Sequence, residues 1–334
     1  MNTPQHPSAA MKRASIRKLT SKTAVICSLL AAFVGGCQSP QPSATSHESD
    51  PPIFLQSLPE IDQTIRKANA RYPDLPARIV ALARKNLGQP YEIYLLGEAP
   101  FETIDDQPVF TFQKSDCVVF VEHTLAMALT DDLPSMLAML QRIRYRDGQI
   151  SLITRNHYTE ADWNPNNRWL VRDISADIGG DATASYSIRV DSARFFQERY
   201  KLETDVPVRM VTQSYVPSAA VLSVADRLRP GDIVQFVRGK GDSRWIGHFG
   251  FISSVQPGEV RVIHSASPAV REETLAELAT GKNLGFAFLR LVDDPIASLR
   301  AIDGPEAPRV AIPSSSPVSW DTFVQQTLHP HQRQ

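Results

Sequence analysis

The hydrophobic period of this chain changes once, and that change limits the architectures open to it. Up to residue 199 apolar positions recur at helical spacing. Ile79, Leu82, Ala83 and Leu87 precede the interruption Gly88-Gln89-Pro90-Tyr91, Asp116–Leu129 reads as a second helix, and Val190–Arg199 as a short third. From residue 232 the period shortens to two. Asp232–Arg238 (DIVQFVR), His248–Val255 (HFGFISSV) and Val260–Ser267 (VRVIHSAS) read as strands, the last two joined by the turn-forming Gln256-Pro257-Gly258-Glu259. Helices first and antiparallel strands afterwards predict an α+β domain with a helix packed on an antiparallel sheet. No apolar run reaches the roughly 18 residues a membrane-spanning helix needs.

The amino end reads as an address. Residues 1–36 hold no Asp or Glu, carry Lys12, Arg13, Arg17, Lys18 and Lys22, and continue into the apolar stretch TAVICSLLAAFV. A basic region before a short apolar segment is the pattern of a secretory signal peptide. Its end, Val34-Gly35-Gly36-Cys37, resembles a bacterial lipobox, which implies acylation of Cys37 and membrane attachment through that lipid; Met1 and Met11 are both possible starts. Gln38 rather than Asp after Cys37 favours, by the same resemblance, the periplasmic face of an outer membrane. Residues 37–59, rich in Pro and Ser, read as a tether, 60–292 as the globular domain and 293–334 as an extended Pro/Ser-rich tail packed on the surface.

Cutting before Cys37 also changes the charge. Five of the 35 Lys+Arg leave and none of the 36 Asp+Glu, so a formal net charge of -1 becomes -6. Neither value supports nucleic acid as a partner. Of three Cys, Cys27 leaves and Cys37 is acylated, so Cys117 remains without a partner in an oxidising compartment. It is an inert buried side chain or a nucleophile. Its place favours the second: Ser115 can cap the helix, Asp116 suits the first turn, and the helix N-terminus lowers a thiol pKa.

His248 and His264 are the candidate partners, and register decides whether they meet. A two-residue loop at Pro257-Gly258 sets His264 opposite Phe251, facing away from His248. A three-residue loop, residues 256–258, sets it opposite Gly250, one diagonal step from His248 on the same face. The alternative is one satisfied strand histidine and one on the surface. Cys117, His123, His157, His248 and His264 are suitable metal-ligand types, but their spacing matches neither C-x2-C nor H-E-x-x-H, so no metal or other cofactor is expected.

The order Asp116-Cys117 at a helix start, His248-Phe249-Gly250 on a strand and His264 on its neighbour resembles the NlpC-type papain-like cysteine peptidases. More closely, the chain resembles the N-acetylmuramoyl-L-alanine amidase-like family. LGQPY (87–91), DCVVFVEHTLAMAL (116–129), IRYRDG (143–148), TRNHYTEADW (154–163), GDIVQF (231–236), HFGFI (248–252) and IHSAS (263–267) carry the likeness across roughly residues 75–292. The resemblance implies a papain-like NlpC-type fold, Cys117 as nucleophile, His248 as general base and His264 orienting it. The reaction implied is hydrolysis of the amide between N-acetylmuramic acid and L-alanine in peptidoglycan or muropeptides, without a cofactor. Tyr91 would help hold the oxyanion, and Asp116, Arg155, His157, Tyr158 and Trp163 would contact substrate. Val119, Asn156 and Ser265 stand where the family usually has Thr, Leu and Ala, and the last two bear on the substrate contacts. Two alternatives remain open at this stage: a γ-D-glutamyl-diamino acid endopeptidase of the same fold, and a non-catalytic wall-binding lipoprotein.

Overall fold

The computed structural model describes residues 50–306 and 308–329. The signal segment 1–36, Cys37 and the tether up to residue 49 lie outside the described residues. The chain is already folded at residue 53, ahead of the expected start at 60. Ile53 is fully buried and its N–H donates to the Lys85 carbonyl at 3.0 Å. Helix α1 (Leu58–Arg71) opens on a capping box between Ser57 and Glu60, and α2 (Leu75–Arg84) on the Asp74 carboxylate.

Helix α3 (Cys117–Ala128) is the centre of the molecule. Every residue from Val119 to Ala128 is buried, which is the environment of a helix wrapped on all sides. Helix α4 (Leu133–Arg144), capped by Asp132, packs against it. The expected third helix is α5 (Ser192–Tyr200).

Eight strands form one sheet among the described residues: β1 (Val171–Asp173), β2 (Ala184–Val190), β3 (Arg209–Pro217), β4 (Ile233–Lys240), β5 (Ser243–Gln256), β6 (Glu259–Ala266), β7 (Ala269–Thr274) and β8 (Gly285–Leu291). Their order is β2-β3-β8-β4-β5-β6-β7, with β1 also on β8, and every pairing is antiparallel. Phe120, Val121 and Leu125 of α3 share one core with Ile233, Phe249, Phe251 and Ile263 of the sheet. The α+β reading with a helix on an antiparallel sheet therefore holds.

The carboxyl-terminal segment is not an extended tail. It forms α6 (Pro295–Asp303) and α7 (Trp320–Leu328). Trp320 packs tilted and Phe323 edge-on against the buried Phe101, and Asp303 pairs with the buried Arg142 at 2.8 Å. The backbone of residue 311 exchanges hydrogen bonds with Gly148 and Ile150. Gly148 is required there, because a Cβ would collide with the Arg309 carbonyl oxygen at a φ of 68°.

Candidate active site

Strand register brings the two histidines together by a route the turn alone does not reveal. The β5–β6 turn is the two-residue form, with Gln256 opposite Glu259, which by itself would turn His264 away from His248. A β-bulge at Ser253 then adds one residue to β5, so that Phe251 faces Ile263 and His264 falls beside Gly250. The bulge does what a longer loop would have done. Gly250 completes the approach, since a Cβ there would stand 2.9 Å from the His264 Cβ. The result is a hydrogen bond of 2.7 Å between His248 Nε2 and His264 Nδ1.

The chain of contacts continues. His264 Nε2 lies 2.7 Å from Glu273 Oε2 on β7, and Arg271 Nε donates to the same oxygen at 2.7 Å. Glu273 was not anticipated. Its signal was present, because Ser267-Pro268 between two alternating runs sets Val262 opposite Glu273, one diagonal step from His264. Because an ionised carboxylate only accepts, the chain fixes both tautomers: His264 Nε2–H donates to Glu273, and His248 Nε2–H donates to His264 Nδ1. His248 Nδ1 is left with its lone pair and no protein hydrogen bond among the described residues. Burial, His264 and the cations of Arg238, Arg271 and Lys282 hold the His248 pKa well below 6.5. At neutral pH it is a neutral base.

Cys117 stands at the N-terminus of α3, where Asp116, not Ser115, is the cap. The Asp116 carboxylate accepts from Val118 and Val119 N–H at 2.9 and 2.8 Å. Both bonds end on Oδ1, so the carboxylate that was expected at the substrate also caps the helix. It also leaves Cys117 N–H as the first-turn donor not taken by the cap. The thiol side chain packs against the core that contains Phe249 and Phe251 of β5. Burial and the Asp116 charge push the thiol up to about 12, against the expected lowering by the helix terminus. Cys117 therefore rests as a thiol. Tyr91 is close enough for the charges of Cys117 and Asp116 to add to the burial that raises its hydroxyl to about 12.

Ser115 serves to hold this loop in place. Its Oγ contacts Gln89 Oε1 at 2.7 Å and Ser265 Oγ at 2.9 Å, and Ser265 Oγ donates to the Ser115 carbonyl at 2.9 Å. Ser265, where the resemblance expects Ala, is thus a tie between β6 and the segment before Cys117. Asn156 is likewise structural, donating to the Ile143 carbonyl at 2.9 Å.

The remaining expected substrate contacts are bound up in the fold. Arg155 donates to the Leu96 carbonyl and pairs with Asp105, at 2.9 and 2.8 Å. His157 is bonded through Nε2 to the Leu152 carbonyl, lies between Phe195 and Phe196, and is lowered to about 3, chiefly by burial. Tyr158 packs edge-on against Phe195. Trp163 is buried behind Phe249 and donates to Glu122 at 3.0 Å. None of the four hydrogen-bonds to Cys117, His248 or His264. Arg155 and His157 instead line a cavity of ≈ 200 Å³ with Arg146, Asp162 and Arg209.

Residues 81–279 match the AmiA-like family, described as N-acetylmuramoyl-L-alanine amidase-like. No curated protein matches the chain. Among solved structures, a protein from Legionella pneumophila str. Philadelphia 1 superposes with a TM-score of 0.61 at 20% identity, over 70% of this chain and 95% of that one. An N-acetylmuramoyl-L-alanine amidase from Bacteroides uniformis gives 0.53 at 21% identity, over 66% of this chain and 100% of its own. At those identities the likeness is one of fold. The family match spans more than half of the 334 residues and contains Cys117, His248, His264 and Glu273. The chain belongs to the AmiA-like, N-acetylmuramoyl-L-alanine amidase-like family.

Proposed function

We propose that this protein is a cysteine-dependent amidase of the papain-like NlpC type, which hydrolyses the bond between the lactyl group of N-acetylmuramic acid and L-alanine in peptidoglycan or its fragments. The observation that carries this reading is the chain His248–His264–Glu273, two contacts of 2.7 Å, ending in a free imidazole lone pair on the strand whose next residue, Phe249, belongs to the core against which Cys117 packs.

Cys117 Sγ attacks the lactyl carbonyl carbon while its proton passes to His248 Nδ1. A neutral thiol and a neutral imidazole make this transfer part of the attack, and the Glu273 carboxylate stabilises the cation through His264. Charge on the carbonyl oxygen is met by Cys117 N–H, with Tyr91 as the side-chain candidate. The C–N bond then breaks, and His248 returns the proton to the departing alanine amine. Water attacks the muramoyl thioester with His248 as base, the C–S bond breaks, and the Cys117 thiol is restored.

Digestion of purified muropeptides with product masses tests the bond. Stem peptides with a free L-alanine amine support the amidase, whereas a cut after D-glutamate replaces it with an endopeptidase. Activity surviving Cys117→Ala would overturn the thiol mechanism. Attachment through acylated Cys37 at the periplasmic face of an outer membrane completes the proposal, and the mass of the amino-terminal peptide from native membranes tests it.

A further inference from the structure

The cations around the histidine pair are answered by protein groups or by solvent, with one exception. Arg271 is neutralised by Glu273 and also donates to the Ala266 and Ser267 carbonyls at 2.9 and 3.1 Å. Lys282 is exposed. Arg238, near the end of β4, is half-buried with its Nε shut off from solvent and without a partner, and it makes no hydrogen bond or ion pair among the described residues.

Strand alternation sets Arg238 on the face of Phe236, whose ring packs on His248 and His264 at centroid distances of 4.8 and 5.7 Å. A second bulge in β5, at Gly247, makes its berth. A Cβ on Gly247 would stand 2.6 Å from Arg238 Cγ and 3.1 Å from Trp245 Nε1, so the bare bulge is what lets the guanidinium stem and the half-buried indole pack beside His248. The Arg238 charge is felt at Cys117, His248 and His264 alike. A partly desolvated guanidinium is costly unless an anion completes it.

We infer that Arg238 binds a carboxylate of the leaving peptide, the α-carboxylate of its D-glutamate, and so selects stems in which that group is free. This rests on the amidase reading above. The planar fork of arginine matches a carboxylate in two parallel hydrogen bonds, which a lysine cannot reproduce. The D-glutamate carboxylate is the first one beyond the scissile amide, roughly 7 Å away along two extended residues.

The test compares two muropeptides carrying L-Ala-γ-D-Glu-diaminopimelate, one with the D-glutamate α-carboxylate free and one with it amidated, using the full chain. The wild type should favour the free acid by about 10- to 100-fold in kcat/KM, mostly through KM. Arg238→Gln should lose that factor on the free acid and change little on the amide, with Arg238→Lys between them. Equal losses of R238Q on both substrates, or no preference in the wild type, would overturn the assignment while leaving the amidase intact. Should neither substrate be cleaved, the amidase reading fails separately, and calorimetry with the released tripeptides decides the binding claim. Weaker binding of only the free acid to R238Q supports it; equal binding, or none to the wild type, rejects it. If R238Q does not fold, the wild-type preference and R238K give the same decision.

Discussion

Two clusters of histidine, arginine and aromatic side chains stand in this molecule, and they are opposite kinds of structure. Around His157, the side chains are tied to separate protein partners: Arg155 to Asp105, His157 Nε2 to the Leu152 carbonyl, Trp163 to Glu122. Around His248, the hydrogen bonds run in one direction, from His248 through His264 to Glu273, and leave one nitrogen free. Residue types alone do not separate a site from a well-satisfied interior. What separates them is the continuous relay from His248 through His264 to Glu273, set on neighbouring strands of the sheet against which Cys117 packs.

The comparison is broken most sharply at its two centres. Cys117→Ala should lower amidase turnover at least about 1,000-fold with the melting temperature within a few degrees. Trp163→Ala should do the reverse. It empties a site behind Phe249 and strands Glu122, costing about 3–5 kcal/mol of stability, while the protein that remains folded keeps its kcat/KM. Thermal melts alongside muropeptide kinetics check both. A stable, inactive Trp163→Ala protein would put Trp163 in the site after all.

Glu273 comes next. Glu273→Ala removes the acceptor that fixes both histidine tautomers, and kcat should fall roughly 100-fold, with Glu273→Gln recovering part of it because an amide oxygen can still accept. The pH profile reads the same residues. Since His248 must be neutral to take the thiol proton and its pKa is held well below 6.5, kcat/KM should stay level as pH falls to 6.5 and decline only below it. Stability follows the same sign, because unfolded imidazoles protonate first as pH drops through 6.5, so acidification favours unfolding. An acid limb centred above 6.5 would contradict a buried neutral base.

The strands β4, β5 and β6 and helix α3 were legible because their apolar period is uninterrupted. Helices α1, α4 and α7 were less so. Helix α1 begins at the edge of the stretch read as tether and α4 lies inside the expected globular span with no element assigned to it, while α7 lies in the stretch read as tail, where packing outweighed local pattern, as Trp320 and Phe323 on Phe101 show. The pairing of His248 with His264 was one of two registers. The Ser253 bulge that selects it leaves no mark in composition, since Ser is an ordinary strand residue and the extra position is visible only against the partner strand. The thiol pKa was misjudged for a related reason. A helix terminus is visible in sequence, whereas the burial and the Asp116 charge that outweigh it depend on the packed sheet.

Ser265 gives the smallest expected effect and the finest test of the contrast. It lies next to His264 and is fully buried, yet its hydroxyl faces Ser115 rather than the imidazoles. If it is a tie and not a substrate contact, Ser265→Ala should cost about 1 kcal/mol, a shift of roughly 2–4 °C in Tm for a protein of this size. The loss should stay small because the backbone of the Ser115 segment is also held by Pro90, whose carbonyl accepts the Ser115 N–H at 3.1 Å, and by the Glu92 N–H at 3.2 Å. Turnover should remain within about threefold, since Cys117 keeps its cap and His264 keeps Glu273. A larger loss in kcat than in stability would mean that the hydroxyl sets the position of Cys117 against His248, and would move Ser265 from the interior to the site.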